Sequence, residues 1–377
     1  MKSCILIFLL LGIFKDVASS SCTSAVTTAT SISSPPSLTP KKRQAQPWTT
    51  SSPLLHTDTQ NSQRVITKTP RGGNSKMSNF LQRAPPAILM LLLTYILVSK
   101  TGATGIIGLV LLLQVGMYNE TTSIIEEYHY TINAEPRVSK LGEVVEKWWW
   151  FLTVLSGTSV KNILLGDTIL KDLMVSEKLL DLITYGMGAV GLLVAVVGMA
   201  SHVSAGPDMF RNYLGKVAAS HFALLFLIGQ SSFWIKTVQE YGILWIIYPA
   251  LLVIINDTMA YVFGVLLGNH KLLPRLSPKK TVEGFVGAAF STFAASIPLL
   301  KAMGGADLSN LKQHAVAMAV FTSIVAPFGG FLASAVKRAH GAKDFGTLIP
   351  GHGGVVDRFD CQIVTAPFVY LYLQQFL

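Results

Sequence analysis

Residues 251–268 read LLVIINDTMAYVFGVLLG, the greater part of an apolar run from Tyr241 to Gly268 whose one acidic residue is Asp257. Such a run is long enough to cross a bilayer as a helix, because about 20 residues rising 1.5 Å each span the hydrocarbon layer. A carboxylate at the centre of that helix costs about 2.5–3.5 kcal/mol on insertion scales, so it is kept for a task or for pairing with another helix. Asp257 would sit about 16 Å along the helix from Gly268. It is expected to face a polar cavity beneath the loop that follows.

Eight further apolar runs lie at 84–98, 101–118, 147–165, 178–201, 216–235, 281–303, 313–336 and 361–376. The first two are short and read as one tight hairpin. Composition agrees with a membrane protein: 50% of the residues are hydrophobic, 13% are charged, and the mean hydropathy is +0.48. The expected fold is therefore all-α, a polytopic integral membrane protein of about nine transmembrane helices with a disordered N-terminal tail. Strands are not expected, since an open sheet edge in lipid leaves backbone groups unpaired and no alternating barrel-type segments occur.

Three regions follow from these patterns. Residues 1–83 form a low-complexity, Ser/Thr-rich basic tail: 13 of the 22 residues from Ser19 to Pro40 are Ser or Thr. Its residues 4–14, CILIFLLLGIF, resemble a signal-peptide core but are too short to span comfortably. The composition of the tail also matches a plastid or mitochondrial targeting segment. Residues 84–240 form the N-terminal helices, and residues 241–377 the region that carries the chemistry. The net charge of +10 belongs mostly to the tail, with 10 Lys and Arg against 2 acids, leaving 20 against 18 elsewhere. No basic surface interleaved with aromatics accompanies it, which argues against nucleic acid. Cys4, Cys22 and Cys361 form no C-x-x-C pair, so neither zinc nor a disulfide framework is expected.

The chemistry is concentrated in residues 334–360, SAVKRAHGAKDFGTLIPGHGGVVDRFD. Asp357 and Asp360 lie three apart and would share a helix face. Together with Asp344 they offer the oxygen ligands that Mg2+ prefers, and with Asp257 as a further ligand they could hold a two-metal site for phosphoryl chemistry. Lys337, Arg338, Lys343 and Arg358 supply cations for a polyphosphate, while Gly353 and Gly354 allow main-chain N–H groups to turn toward an anion. In a second block, Lys279 and Lys280 follow Ser277 and Pro278 and precede a helix starting near Thr281, so amides and ammonium groups converge on any anion there. Helix capping alone could account for Ser277 and Glu283. A loop that merely met anionic headgroups would explain the cations but not three aspartates. The absence of G-x-S-x-G argues against a serine hydrolase.

The pattern S-x-x-K-R-x4-K-D-x-G…P-x-H-G-G-x-x-D-R-x-D in residues 334–360 resembles, position for position, the signature of phosphatidate cytidylyltransferases. The block Asn256-Asp257-Thr258-Met259-Ala260-Tyr261, with Gly264, Gly268, Leu276 to Thr281 and Glu283-Gly284-Phe285, is similar to the same family. Phe359, Cys361 and Gln362, with Asn256 and Phe285, resemble its eukaryotic branch. The likeness is strong from about Tyr241 onward and weaker from about Ala84 to Tyr241. It implies an enzyme that joins CTP and phosphatidic acid into CDP-diacylglycerol and pyrophosphate at the bilayer. Mg2+ is implied as cofactor, with a monovalent cation such as K+ as a further candidate. Asp344, Asp357, Asp360, Lys343 and His352 would be the catalytic group; Ser277, Lys279, Lys280, Lys337, Arg338, Arg358, Gly353 and Gly354 would bind substrate. A homodimer is also suggested by the resemblance alone. Two alternatives remain at this stage: a CTP-dependent polyprenol or phytol kinase, and an anion transporter, for which no internal repeat is visible.

Basic residues enrich the loops at 269–280 and 337–358, while the loop at 304–312 has one Lys and one Asp. By the positive-inside rule the two basic loops face the cytosol. The expected setting is the endoplasmic reticulum, with a plastid or mitochondrial membrane as the alternative.

Overall fold

A computed structural model describes residues 76–129, 140–166, 176–201, 207–304, 310–346 and 353–377. The expectations placed on residues 1–75 and on His352 lie outside the described residues. The first helical run, α1 (Lys76–Glu127), is broken at Gly102, whose φ of 61° no helix interior accommodates. The two expected runs at 84–98 and 101–118 are thus joined at that residue without an intervening loop. There follow α2 (Lys140–Leu155), a π-helical turn (Ser156–Val160) and α3 (Lys161–Leu165). Next come α4 (Glu177–Ser201), α5 (Pro207–Ala223), a second π turn (Leu224–Gly229) and α6 (Gln230–Glu240). The C-terminal region contains α7 (Leu244–Leu266), α8 (Val282–Ala302), α9 (Leu311–Ile324), α10 (Ala326–Ala339) and α11 (Val356–Phe376).

Among the described residues, six helical runs are long and apolar enough to cross a membrane: Lys100–Glu127, Glu177–Ala200, Phe210–Glu240, Leu244–Leu266, Val282–Ala302 and Leu311–Ala339. The protein is a polytopic, all-α membrane protein. The run at 361–376 is also helical, but α11 carries Asp357, Arg358, Asp360 and Gln362 and is less apolar. It tolerates this because it lies at the centre of the bundle, with Gln362, Ile363, Thr365, Ala366, Val369 and Leu373 buried. By contrast, α4 is almost entirely outward-facing, with Leu182, Leu193 and Val197 more than 60% exposed. Lipid, rather than protein, is the solvent that such a surface fits.

Two apolar clusters organise the bundle. One joins Ile107 and Val110 of α1, Ile235 of α6, Tyr248 and Leu252 of α7, Met318 of α9 and Val369 and Leu373 of α11. The other joins Met117 and Tyr118 of α1, Phe151 of α2, Leu224, Phe226, Leu227 and Ile228 of the second π turn, and Phe345, Val356 and Ile363. Several buried polar groups inside the bundle are paired across helices. Gln114 donates to Ser231 Oγ (2.8 Å) and accepts from Ser159 (2.9 Å). Thr292 of α8 donates to Asn256 of α7 (3.2 Å), and Gln362 of α11 donates to the Ala250 carbonyl (3.1 Å). In a low-dielectric interior such bonds fix helix rotation, since an unpaired polar group is costly there.

The expectation of no strands needs one correction. The loop between α7 and α8 folds into an antiparallel hairpin of β1 (Lys271–Leu273) and β2 (Ser277–Thr281). It lies between two spans rather than inside one, where the rule about unpaired edges in lipid does not apply. Helix α8 begins directly after it, with Thr281 as N-cap accepting from the Gly284 N–H (3.2 Å). A side chain at Gly284 would meet the Ala260 carbonyl at 2.6 Å, so glycine lets α7 and α8 approach closely beneath the hairpin.

Candidate active site

A cavity of about 320 Å³ opens where the hairpin meets the starts of α8 and α11. Asp257 and Tyr261 of α7, Lys279 and Lys280 of β2, Gly330 and Ser334 of α10, and Asp357, Asp360 and Cys361 of α11 all line it. Three carboxylates and two lysines from segments far apart in sequence therefore share one wall system. Asp257, anomalous in its apolar helix, is exposed in this wall.

The two aspartates of α11 have different surroundings. Asp357 is the better satisfied: its Oδ1 is ion-paired with Lys337 Nζ, and its Oδ2 accepts the N–H groups of Phe345 (3.0 Å) and Gly354 (3.1 Å). Its side chain is 8% exposed and that of Lys337 11%. Lys337 also lies 5.3 Å from the centre of the Phe345 ring, within cation–π range. Asp357 thus ties the end of α10 and the turn at Phe345 to the first turn of α11. The positive φ of Gly353, 89°, makes that turn possible, and a side chain there would approach Asp357 Oδ2 at 3.2 Å.

Asp360 has fewer direct partners. Its Oδ1 accepts the Cys361 N–H (2.7 Å), while its Oδ2 lies beside Gly330, together with Lys280 Nζ. A side chain on Gly330 would reach those two atoms at 3.3 and 3.4 Å. Lys280 is steadied 4.6 Å from the centre of the Phe331 ring. This ammonium is therefore held at the pocket wall rather than free on a loop.

Other residues singled out from sequence have different positions. Asp344 and Lys343 are exposed and do not line the cavity, although Asp344 lies beside Gly353. Arg338 donates to the Ala342 carbonyl (3.0 Å) at the end of α10. Arg358 is exposed on α11. Ser277 is a β2 residue paired with Leu273, and Glu283 closes the hairpin by accepting the His270 N–H (3.1 Å) and contacting His270 Nδ1 (2.6 Å). Gly353 and Gly354 shape the turn around Asp357. Among the described residues, no cluster of three or more His, Cys, Asp or Glu side chains is preassembled for a metal.

Glu120, near the end of α1, was not singled out by any local pattern. Its Oε2 accepts the Val356 N–H at 3.1 Å across 236 positions of sequence. It lies just beyond the 101–118 run, among Asn119, Thr121 and Thr122, where an acid carries no local signal.

Acids and lysines thus share one pocket inside a polytopic helical bundle, an arrangement suited to phosphate anions. The chain belongs to the cytidylyltransferase family, whose model matches residues 81–376. It is 32% identical over 328 residues to phosphatidate cytidylyltransferase 1 of Arabidopsis thaliana, covering 75% of this chain and 76% of that protein. It is 30% identical over 354 residues to phosphatidate cytidylyltransferase of Caenorhabditis elegans, covering 79% and 72%. Phosphatidate cytidylyltransferase 2 of Homo sapiens is 36% identical over a shorter stretch of 204 residues, covering 42% and 45%. The protein is a nucleotidyltransferase.

Proposed function

We infer that the chain transfers the cytidylyl group of CTP to phosphatidic acid within the membrane. A phosphate oxygen of phosphatidic acid attacks the α-phosphorus of CTP; the new P–O bond gives CDP-diacylglycerol, and cleavage of the α–β bridge releases pyrophosphate. The observation that carries this reading is the meeting of both sequence blocks in one cavity, with Asp257, Lys279 and Lys280 from the first and Asp357 and Asp360 from the second. The names of the relatives support the two substrates.

Within the pocket, Lys279 and Lys280 neutralise triphosphate oxygens and offset the charge that builds on the departing pyrophosphate. Because the nucleophile is already anionic, no general base is needed; holding two like-charged substrates in line is the main task. The hard oxygen donors of Asp257 and Asp360 in the cavity wall suit Mg2+, whereas Asp357 is engaged by Lys337 and two amides and Asp344 stands outside the cavity. Bound there, Mg2+ would supply charge neutralisation for the phosphates. Lys337 stays with Asp357, while Lys343 and Arg358 are exposed, with Arg358 near enough to act electrostatically on Asp257, which suits capture of an incoming anion.

We place the enzyme in the endoplasmic reticulum with the pocket toward the cytosol, on the strength of the basic hairpin and signature loops. A homodimer is part of the same proposal. The direct test of function uses detergent-purified protein with phosphatidic acid, Mg2+ and CTP labelled at the α-phosphate. Label entering lipid with release of pyrophosphate is expected. Release of CDP without labelled lipid would point to a lipid kinase or nucleotidase and overturn the assignment.

A further inference from the structure

The start of α11 is gripped from a part of the chain outside the signature. Glu120 Oε2 accepts the N–H of Val356, the first residue of α11, where free amides and the helix dipole favour a negative group. Two residues earlier, the Gly354 N–H goes instead to Asp357. Two carboxylates thus divide the amides at the start of this helix. The other oxygen, Glu120 Oε1, is buried with no partner among the described residues. A side chain on Gly346 would meet Oε1 at 2.8 Å, and one on Gly354 would meet Oε2 at 2.5 Å. The carboxylate therefore fills the gap between Gly346 and Gly354.

We propose that Glu120 is a positioning residue for the nucleotidyl transfer: it clamps Gly346, Gly354 and the first amide of α11 together, and so sets Asp357 and Asp360 at the pocket. It does not line the cavity and touches no substrate. The inference concerns the same site as the functional reading and rests on it for the kinetic result, but its effect on the turn is measured independently.

The test compares wild type, Glu120→Ala, Glu120→Gln and Gly346→Ala as full-length protein in detergent, by hydrogen exchange of peptides covering 345–358 and by steady-state kinetics. Glu120→Ala should speed exchange in that peptide at least tenfold, leave peptides from α6 and α9 protected, and lower kcat at least tenfold. Gly346→Ala, which displaces the carboxylate without removing it, should loosen the same peptide. Glu120→Gln, which keeps an acceptor and the side-chain volume, should stay within about threefold of wild type in both measurements. Unchanged exchange at 345–358 in Glu120→Ala overturns the proposal, as does a Gln variant as impaired as the Ala variant. Protection lost throughout the bundle in both Ala variants would mark general packing and overturn it equally. Exchange altered as expected in a protein that makes no labelled lipid would uphold the clamp and refute only the catalytic assignment.

Discussion

Replacing Asp357 by Ala should damage the protein more than replacing Lys337 by Met, and the two effects should not add. The two charges form a pair whose side chains are 8% and 11% exposed, so solvent screens them little. Removing one member of a buried pair typically costs about 3–5 kcal/mol, because the survivor is left uncompensated. Lys337→Met leaves Asp357 with two amide donors, from Phe345 and Gly354, and so belongs near the lower end of that range. Asp357→Ala leaves Lys337 with the Phe345 ring and also frees those two amides, which places it at the upper end or beyond. At about 2 °C per kcal/mol for a protein of this size, the apparent melting temperature should fall by on the order of 6 °C for Lys337→Met and 10 °C for Asp357→Ala. The double variant should fall by clearly less than the sum, since neither charge is then stranded. Fluorescence-detected melting in one detergent measures all four proteins. Additive losses, or an Asp357→Ala variant melting with wild type, would refute the account of Asp357 as the tie between α10 and α11. The same Ala variant should make no labelled lipid while remaining inserted in the membrane.

Asp360→Asn keeps the acceptor for the Cys361 amide but removes the charge, so turnover should drop at least a hundredfold with little change in melting; near-normal turnover would remove Asp360 from the phosphate and metal chemistry. Lys280→Met should lower kcat/KM at least tenfold, about 1.4 kcal/mol, and an unchanged value would leave that lysine as a juxtamembrane charge only. Chelation with EDTA should abolish lipid labelling and added Mg2+ should restore it; full activity in chelator would dismiss the divalent-cation proposal. Gly330→Ala places a methyl group against Asp360 Oδ2 and Lys280 Nζ and should depress kcat/KM severalfold without lowering the melting temperature. Equal activity would mean that these two groups need no fixed separation.

Much of this architecture is legible from local pattern because lipid imposes a simple rule: long apolar runs become helices whose backbone bonds close internally. The six runs found in the structure coincide with expected ones, and the oddness of Asp257 in its apolar run marked a pocket residue. The short hairpin was missed because its residues, KLLPRLSPKKT, alternate too briefly to give a strand period. Glu120 was missed because its partners are amides, which carry no side-chain signature.

By itself, the sequence determined the membrane helices, the family, and the supply of acids and cations from which an active site is built, since these depend on composition and on spacing along the chain. Only the tertiary structure decided how those charges are shared. Three-residue spacing placed Asp357 and Asp360 on one helical turn, yet Asp357 is engaged with Lys337 and two amides while Asp360 opens toward Lys280. Electrostatic partnership falls steeply with distance and exposure, and for residues as far apart in the chain as Asp257 and Asp360, or Glu120 and Val356, distance is set only when the helices pack.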